Sequence, residues 1–214
     1  MTDVAIKICG ISTPDALDAA IAARADFVGL VFFPPSPRHV DGHAAAALAA
    51  RAGSAIGRVG LFVGADDGLI GESVRAGRLD AIQLHGEETP ERVAQVKERF
   101  GLPVWKAIPV ATARDVEQAR PYEGVADLLL FDARTPKDAA LPGGMGLSFD
   151  WSLLSAWRGK PRWGLAGGLS AANVADALGR TGAPLLDTSS GVERAPGRKD
   201  PEMIRAFCKA ARNA

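Results

Sequence analysis

Cysteine is scarce: the 214 residues contain two, Cys9 and Cys208, too few and too far apart for a disulfide scaffold. Histidine is equally thin, and three scattered histidines with two remote cysteines give no metal-ligand spacing, so no metal is expected. Neither sign of charge is in excess, with 25 Lys+Arg against 25 Asp+Glu, and nothing recommends nucleic acid or a membrane surface as a partner. Met1-Thr2-Asp3-Val4 lacks the basic and apolar regions of a secretory signal. The most apolar helical stretch, Ala44 to Ala50, falls far short of the roughly 20 residues that span a bilayer. A soluble, cytoplasmic protein is the expectation. No G-x-G-x-x-G follows the first apolar run, which counts against an open dinucleotide-binding sheet.

What the chain has is alternation. Short apolar runs at Val4 to Cys9, Phe27 to Phe33, Gly57 to Val63, Ala81 to Leu84, Pro103 to Ala107, Ala126 to Asp132, Arg162 to Ala166 and Pro184 to Leu186 read as strands. Helical sequence lies between them, for example near Asp41 to Arg51, Pro90 to Phe100 and Thr112 to Ala119, then from Ser170 and from Pro201. Thr13 and Pro14 form an N-cap and first-turn proline for the earliest helix. Runs apolar on both faces and separated by helices signal parallel strands buried on both sides. Eight strand–helix units with 47% apolar residues fit one domain over residues 1–214, an α/β (βα)8 TIM barrel. The longest irregular piece, Ala133 to Ser148, follows the sixth strand and reads as a mobile active-site loop, against the plainer reading of a surface insertion.

In such a barrel the catalytic face is where strands end. The first strand delivers Lys7 and Cys9, and the second delivers Arg38 through the stiff Pro34-Pro35-Ser36-Pro37 turn. The fourth delivers Gln83 and His85, the sixth Asp132. The seventh ends in Gly167 and Gly168, the eighth in Asp187, Ser189 and Ser190. Glycines and serines that open backbone N–H groups on two adjacent loops make a seat for a phosphate dianion.

Cys9 reads two ways, as small apolar filler or as a base. Lys7, two residues back on the same side of the strand, would favour its thiolate, and Gly10 would leave the backbone open to a ligand. Asp132 ends an apolar run with no structural need of a carboxylate; desolvation there would raise its pKa toward proton donation, unless it only caps a helix or pairs with Arg134. Arg38 suits a carboxylate, and His85 reads equally as a satisfied rim histidine. Arg194, Arg198 and Lys199 read as a solvated lip beside the phosphate, Cys208 as core. The four tryptophans read as packing, with Trp105 open to a place at the barrel mouth.

The runs Lys7-Ile8-Cys9-Gly10, Phe33-Pro34-Pro35-Ser36-Pro37-Arg38, Gln83-Leu84-His85-Gly86, Phe131-Asp132-Ala133, Phe149-Asp150-Trp151, Ala166-Gly167-Gly168-Leu169, Asp187-Thr188-Ser189-Ser190-Gly191-Val192-Glu193 and Gly197-Arg198-Lys199-Asp200 occur in that order. Together they resemble the phosphoribosylanthranilate isomerase family of tryptophan biosynthesis over nearly the whole chain. The resemblance implies an Amadori rearrangement with Cys9 as general base and Asp132 as general acid. It implies Arg38 on the anthranilate carboxylate and the Gly168, Ser189 and Ser190 loops on the phosphate, with Asp187 orienting its loop. Lys7, Gln83, His85 and Gly167 complete the substrate-binding set. It implies no cofactor, a small-molecule substrate, and either a monomer or a homodimer.

Two departures stand out. Gly143-Gly144-Met145-Gly146 lacks the hydroxyl residue usual between the family's loop glycines, a contact that Ser148 could supply instead. Pro35 stands where a lysine is common. Three other readings are weaker. Indole-glycerol-phosphate synthase relies on a lysine and glutamate set, a dual-substrate aminoaldose isomerase on an aspartate at position 9. A phosphometabolite-binding module would need neither Cys9 nor Asp132.

Overall fold

The computed structural model describes residues 4–136, 144, 146–159 and 162–214, and eight parallel strands close into a barrel in sequence order. They are β1 (Ala5–Cys9), β2 (Phe27–Val31), β3 (Gly57–Val63), β4 (Ala81–His85), β5 (Val104–Val110), β6 (Leu128–Ala133), β7 (Arg162–Leu165) and β8 (Leu185–Thr188). Closure is made by β1 against β8, with Lys7 in register with Asp187.

Alternation along each strand divides the side chains between two cores. On β1, Ile6 and Ile8 are fully buried against the helical layer, each stabilising the fold by about 1.5–3 kcal/mol. Inside the barrel, Val59, Ala81, Trp105, Leu128, Leu130 and Leu185 pack together as an apolar plug. Trp105 meets Phe27 edge-on, with ring centroids 5.2 Å apart. It is buried in that plug, as packing, and does not line the mouth. The opposite end of the barrel carries the polar residues.

The helices are α1 (Pro14–Ala22), α2 (Gly42–Ala52), α3 (Asp67–Gly77), α4 (Pro90–Phe100), α5 (Ala113–Glu117), α6 (Val174–Thr181) and α7 (Pro201–Arg212). Local chemistry sets their ends: Thr13 caps α1, whose first residue is Pro14, and Thr89 with Pro90 repeats the device on α4. Gly101 ends α4 in the left-handed region, where glycine carries no Cβ penalty. Cys208 is buried with Ile204, Phe207 and Ala211 on the inner stripe of α7, as its spacing implies.

Three places depart from eight equal strand–helix units. Among the described residues the crossover after β6 holds no α-helix; a 3₁₀ turn, Trp151–Ala156, fills the outer layer there, capped by Asp150 and packed on α6. Its sequence is preceded by a stretch dense in proline and glycine, which disfavours a regular helix. The helix expected from Ser170 begins only at Val174, because Asn173 Oδ1 accepts from the Ser170 N–H and holds those residues in a turn. After β8 a small antiparallel ribbon, β9 (Glu193–Ala195) with β10 (Arg198–Lys199), precedes α7. No described helix is long and apolar enough to cross a membrane.

Candidate active site

The C-terminal mouth holds a cleft of about 820 Å³, the open space at its entrance included, lined by residues from the strand ends and following loops. Cys9, Arg38, Gln83, His85, Asp132, Gly167, Gly168, Asp187, Ser189 and Ser190 all reach it. Lys7 does not: it is fully buried below the cleft floor, with Nζ 3.0 Å from Asp187 Oδ1. The structure thus does not bring Lys7, expected among the substrate-binding residues, to the cleft surface. Lys7 is a buried counter-ion shared by Asp187 and Cys9. Burial pulls its ammonium down, but Asp187 and the neighbouring Cys9 more than reverse this and hold its pKa above the ordinary value.

The cation expected beside Cys9 is present, yet the thiol's net shift runs the other way. Burial pushes the Cys9 pKa up, and the opposing pull of Lys7 and of Lys199 does not overcome it. Sequence periodicity places the lysine on the right face but carries no measure of how dry that face is. Gly10 likewise serves a different purpose. A Cβ there would lie 2.6 Å from Arg38 Cδ, so the missing side chain makes room for the arginine stem, not for a ligand.

Asp132 is displaced toward the acid role. Burial, helped by the charge of Asp187, pushes its pKa up to about 7, so near neutrality the carboxyl holds a proton about half the time. Oδ1 accepts from the Ala133 N–H at 2.8 Å, and Oδ2 lies 3.3 Å from His85 Nε2. The alternative pairing with Arg134 is absent, since Arg134 engages Asp115 instead. His85 is buried, and desolvation with the nearby Lys106 pulls its pKa down to about 3. It meets Asp132 as a neutral imidazole. Lys106, which sequence reading passed over, donates from Nζ to Gly86 O at 2.9 Å and so ties down the loop that begins just after His85.

Arg38 is 5% exposed and its guanidinium is fixed. Nε and Nη2 donate side-on to Glu193 Oε1 and Oε2, both at 2.8 Å, and Nη2 also donates to Gly144 O at 3.0 Å. Among the described residues Nη1 has no hydrogen-bond partner. Glu193 escaped the sequence reading as a site residue. Lys199 was misplaced by it: its side chain is 1% exposed, not part of a solvated lip, and Nζ donates to Glu193 Oε1 at 2.7 Å and Ser189 O at 2.9 Å. Arg194 and Arg198 remain exposed.

The phosphate seat forms where the β7 and β8 loops meet. Gly167 and Gly168 have φ of +87° and +63°, backbone that favours glycine, and a Cβ on Gly167 would come within 2.6 Å of Ala133 N. Asn173 Nδ2 takes the Gly168 carbonyl at 2.9 Å, and Thr188 Oγ1 donates to Leu169 O at 2.7 Å, stitching the two loops together. Among the described residues the N–H groups of Gly168, Ser189 and Ser190 have no partner, a ready anion site. Of the Ala133 to Ser148 loop, Ala133, Thr135, Gly144, Gly146 and Leu147 line the cleft; residues 137–143 and 145, on which the reading of a mobile active-site loop chiefly rests, lie outside the described residues.

A parallel barrel that faces a carboxyl titrating near 7 across its mouth from a buried thiol, beside an anion seat, is an enzyme for acid–base chemistry on an anionic small molecule. Residues 6–210 match the family model described as N-(5'-phosphoribosyl)anthranilate (PRA) isomerase. A relative of that name from Paramagnetospirillum magneticum is 54% identical over 209 residues, 98% of this chain and 97% of its own. One from Parvibaculum lavamentivorans is 50% identical over 99% of both chains. The crystal structure of the Thermotoga maritima phosphoribosylanthranilate isomerase aligns with a TM-score of 0.88 at 35% identity, covering 99% of this chain and 100% of that one. A further structure of the isomerase, at a TM-score of 0.86 and 34% identity over the same shares, holds reduced 1-(o-carboxyphenylamino)-1-deoxyribulose 5-phosphate. The chain belongs to the N-(5'-phosphoribosyl)anthranilate isomerase family.

Proposed function

We infer that this protein converts N-(5'-phosphoribosyl)anthranilate to 1-(2-carboxyphenylamino)-1-deoxyribulose 5-phosphate, the third step of tryptophan synthesis from chorismate. The observation that carries the reading is the pairing of Asp132, whose pKa lies near 7, with Cys9 on one cleft that also has an anion seat. Asp132 gives its proton to the furanose ring oxygen, the C1–O bond breaks, and the anthranilate nitrogen lone pair fills the gap to give a protonated imine. That cation acidifies the C2 proton. The Cys9 thiolate, supported by the Lys7 ammonium, removes it, and the electrons flow onto the nitrogen to leave an enolamine that tautomerises to the ketone.

The substrate's own nitrogen is the electron sink, so the route calls on no cofactor. Arg38 Nη1 takes the anthranilate carboxylate, and the N–H groups of Gly168, Ser189 and Ser190 take the phosphate. Asp187, already engaged by Lys7, holds the floor beneath them.

Turnover of freshly prepared phosphoribosylanthranilate, followed by loss of anthranilate fluorescence, tests this. Wild type turns over, and Cys9→Ala and Asp132→Asn each lose at least about 10²-fold in kcat, the contribution expected of one acid–base group. A wild-type protein that binds the substrate and leaves it unchanged defeats the reading.

A further inference from the structure

Glu193 touches neither the cleft nor, on the scheme above, the substrate, yet it receives charged donors from both sides of the site. Arg38 grips it with Nε and Nη2 at 2.8 Å each, and Lys199 donates to it at 2.7 Å. Lys199 also donates to Ser189 O at 2.9 Å and Ser189 Oγ at 3.2 Å, on the loop that forms the anion seat. The side chains of Arg38, Glu193 and Lys199 are 6%, 3% and 1% exposed, so this is one dry triad and not a surface ion pair. Burial pushes the Glu193 carboxyl up, but Arg38 and Lys199 together hold it below the ordinary carboxylate value, and it stays ionised.

The backbone is fitted to the same end. The Gly197 N–H, in the turn between β9 and β10, donates to Glu193 Oε2 at 3.2 Å, and a Cβ on Gly197 would lie 2.3 Å from Pro37 O. The ribbon therefore lies flat on the proline-stiffened loop that delivers Arg38. Two cations brought this close repel each other, and a single carboxylate between them is what lets both stay charged and aimed.

We propose that Glu193 is a positioning residue that fixes the two anion-binding ends of the site relative to one another, Arg38 for the substrate carboxylate and, through Lys199, the Ser189 loop for the phosphate. The inference rests on the substrate reading above. It sets the distance between carboxylate and phosphate that the enzyme accepts, and it acts on binding that ground state and transition state share. The effect falls mainly on KM.

The test is Glu193→Gln, an isosteric change that removes the charge, with the inhibition constants of anthranilate and of inorganic phosphate measured separately against substrate. The expected result is a KM raised at least about tenfold, a kcat that falls by less than KM rises, and both inhibition constants raised together. Glu193→Asp, which keeps the charge, recovers part of each. A folded Glu193→Gln protein with KM and both constants within twofold of wild type overturns the proposal, and so does a rise in only one of the two constants. If Glu193→Gln fails to fold, the same constants are read on Glu193→Asp, where both rise together or the proposal falls. A wild-type protein without turnover defeats the substrate reading instead, so the two failures are told apart.

Discussion

Asp132 Oδ2 lies 3.3 Å from His85 Nε2, and of the two it is the carboxyl that holds the proton near neutrality. Burial drives the pair apart in opposite senses, Asp132 up to about 7 and His85 down to about 3. The mouth thus meets the substrate with a proton donor beside an uncharged imidazole, and not with an imidazolium–carboxylate ion pair.

The pH–rate profile follows from that carboxyl and the raised thiol. The working form needs Cys9 as thiolate and Asp132 as acid, yet Cys9 titrates above its ordinary value and Asp132 at about 7. The competent form is therefore a minority at every pH. Below about 7 the thiolate fraction grows with pH and kcat/KM rises. Between about 7 and the thiol's value the gain in thiolate cancels the loss of acid, giving a plateau, and above it the rate falls. A profile that instead declines from about pH 7 would place the thiol below the carboxyl and contradict this ordering.

Removing the titrating carboxyl makes the fold more stable where the wild type ionises. In the unfolded chain Asp132 loses its proton near 3.8, in the folded protein only at about 7. The folded state is thus progressively disfavoured between those values and stays so above 7, by up to a few kcal/mol at roughly 1.4 kcal/mol per unit. Asp132→Asn gains that amount over wild type in urea unfolding at pH 8 and gains nothing comparable at pH 4. Equal gains at both would trace the effect to packing.

Lys7→Met removes the buried cation that lies 3.0 Å from Asp187 on the cleft floor. Leaving one member of a buried pair uncompensated costs about 3–5 kcal/mol. Adding Asp187→Asn recovers part of that stability but not the activity, because Cys9 still lacks the ammonium beside it. Recovery of kcat in the double variant would remove Lys7 from the account of the thiolate.

Gln83 is 1% exposed and lines the cleft, yet among the described residues its Oε1 has no hydrogen-bond partner. Gln83→Leu removes an unsatisfied polar atom, so the melting temperature holds or rises. If that oxygen's partner is a substrate N–H or O–H, KM rises about tenfold, the worth of one hydrogen bond. An unchanged KM would leave the amide with no part in binding.

The strands were legible because each is a short apolar run punctuated by glycine, proline or a cap, and strand ends name the face where Cys9, Gln83, His85 and Asp132 emerge. The sixth crossover was not, because a 3₁₀ turn and an α-helix share much of their apolar spacing. Lys199 was misread for a different reason. Beside Arg194 and Arg198 it looks solvated, and only the β9–β10 ribbon turns it inward onto Glu193. Charges buried by tertiary contact leave no periodic trace. The same holds for the direction of the Cys9 shift, which depends on how completely the barrel mouth dries the thiol.

Lys7 and Asp187 are partners across 180 residues, and Arg38 and Glu193 across 155. Both pairs join the chain's first strands to its last. A ribosome releases the amino end first, so for nearly the whole of synthesis the thiol has no completed floor beneath it and Arg38 no anchor. Seam closure between β1 and β8 is the event that creates the chemistry. A chain that stops short of Asp187 and Glu193 can hold much of its core and still lack both partners, so activity reports that the first strands have met the last.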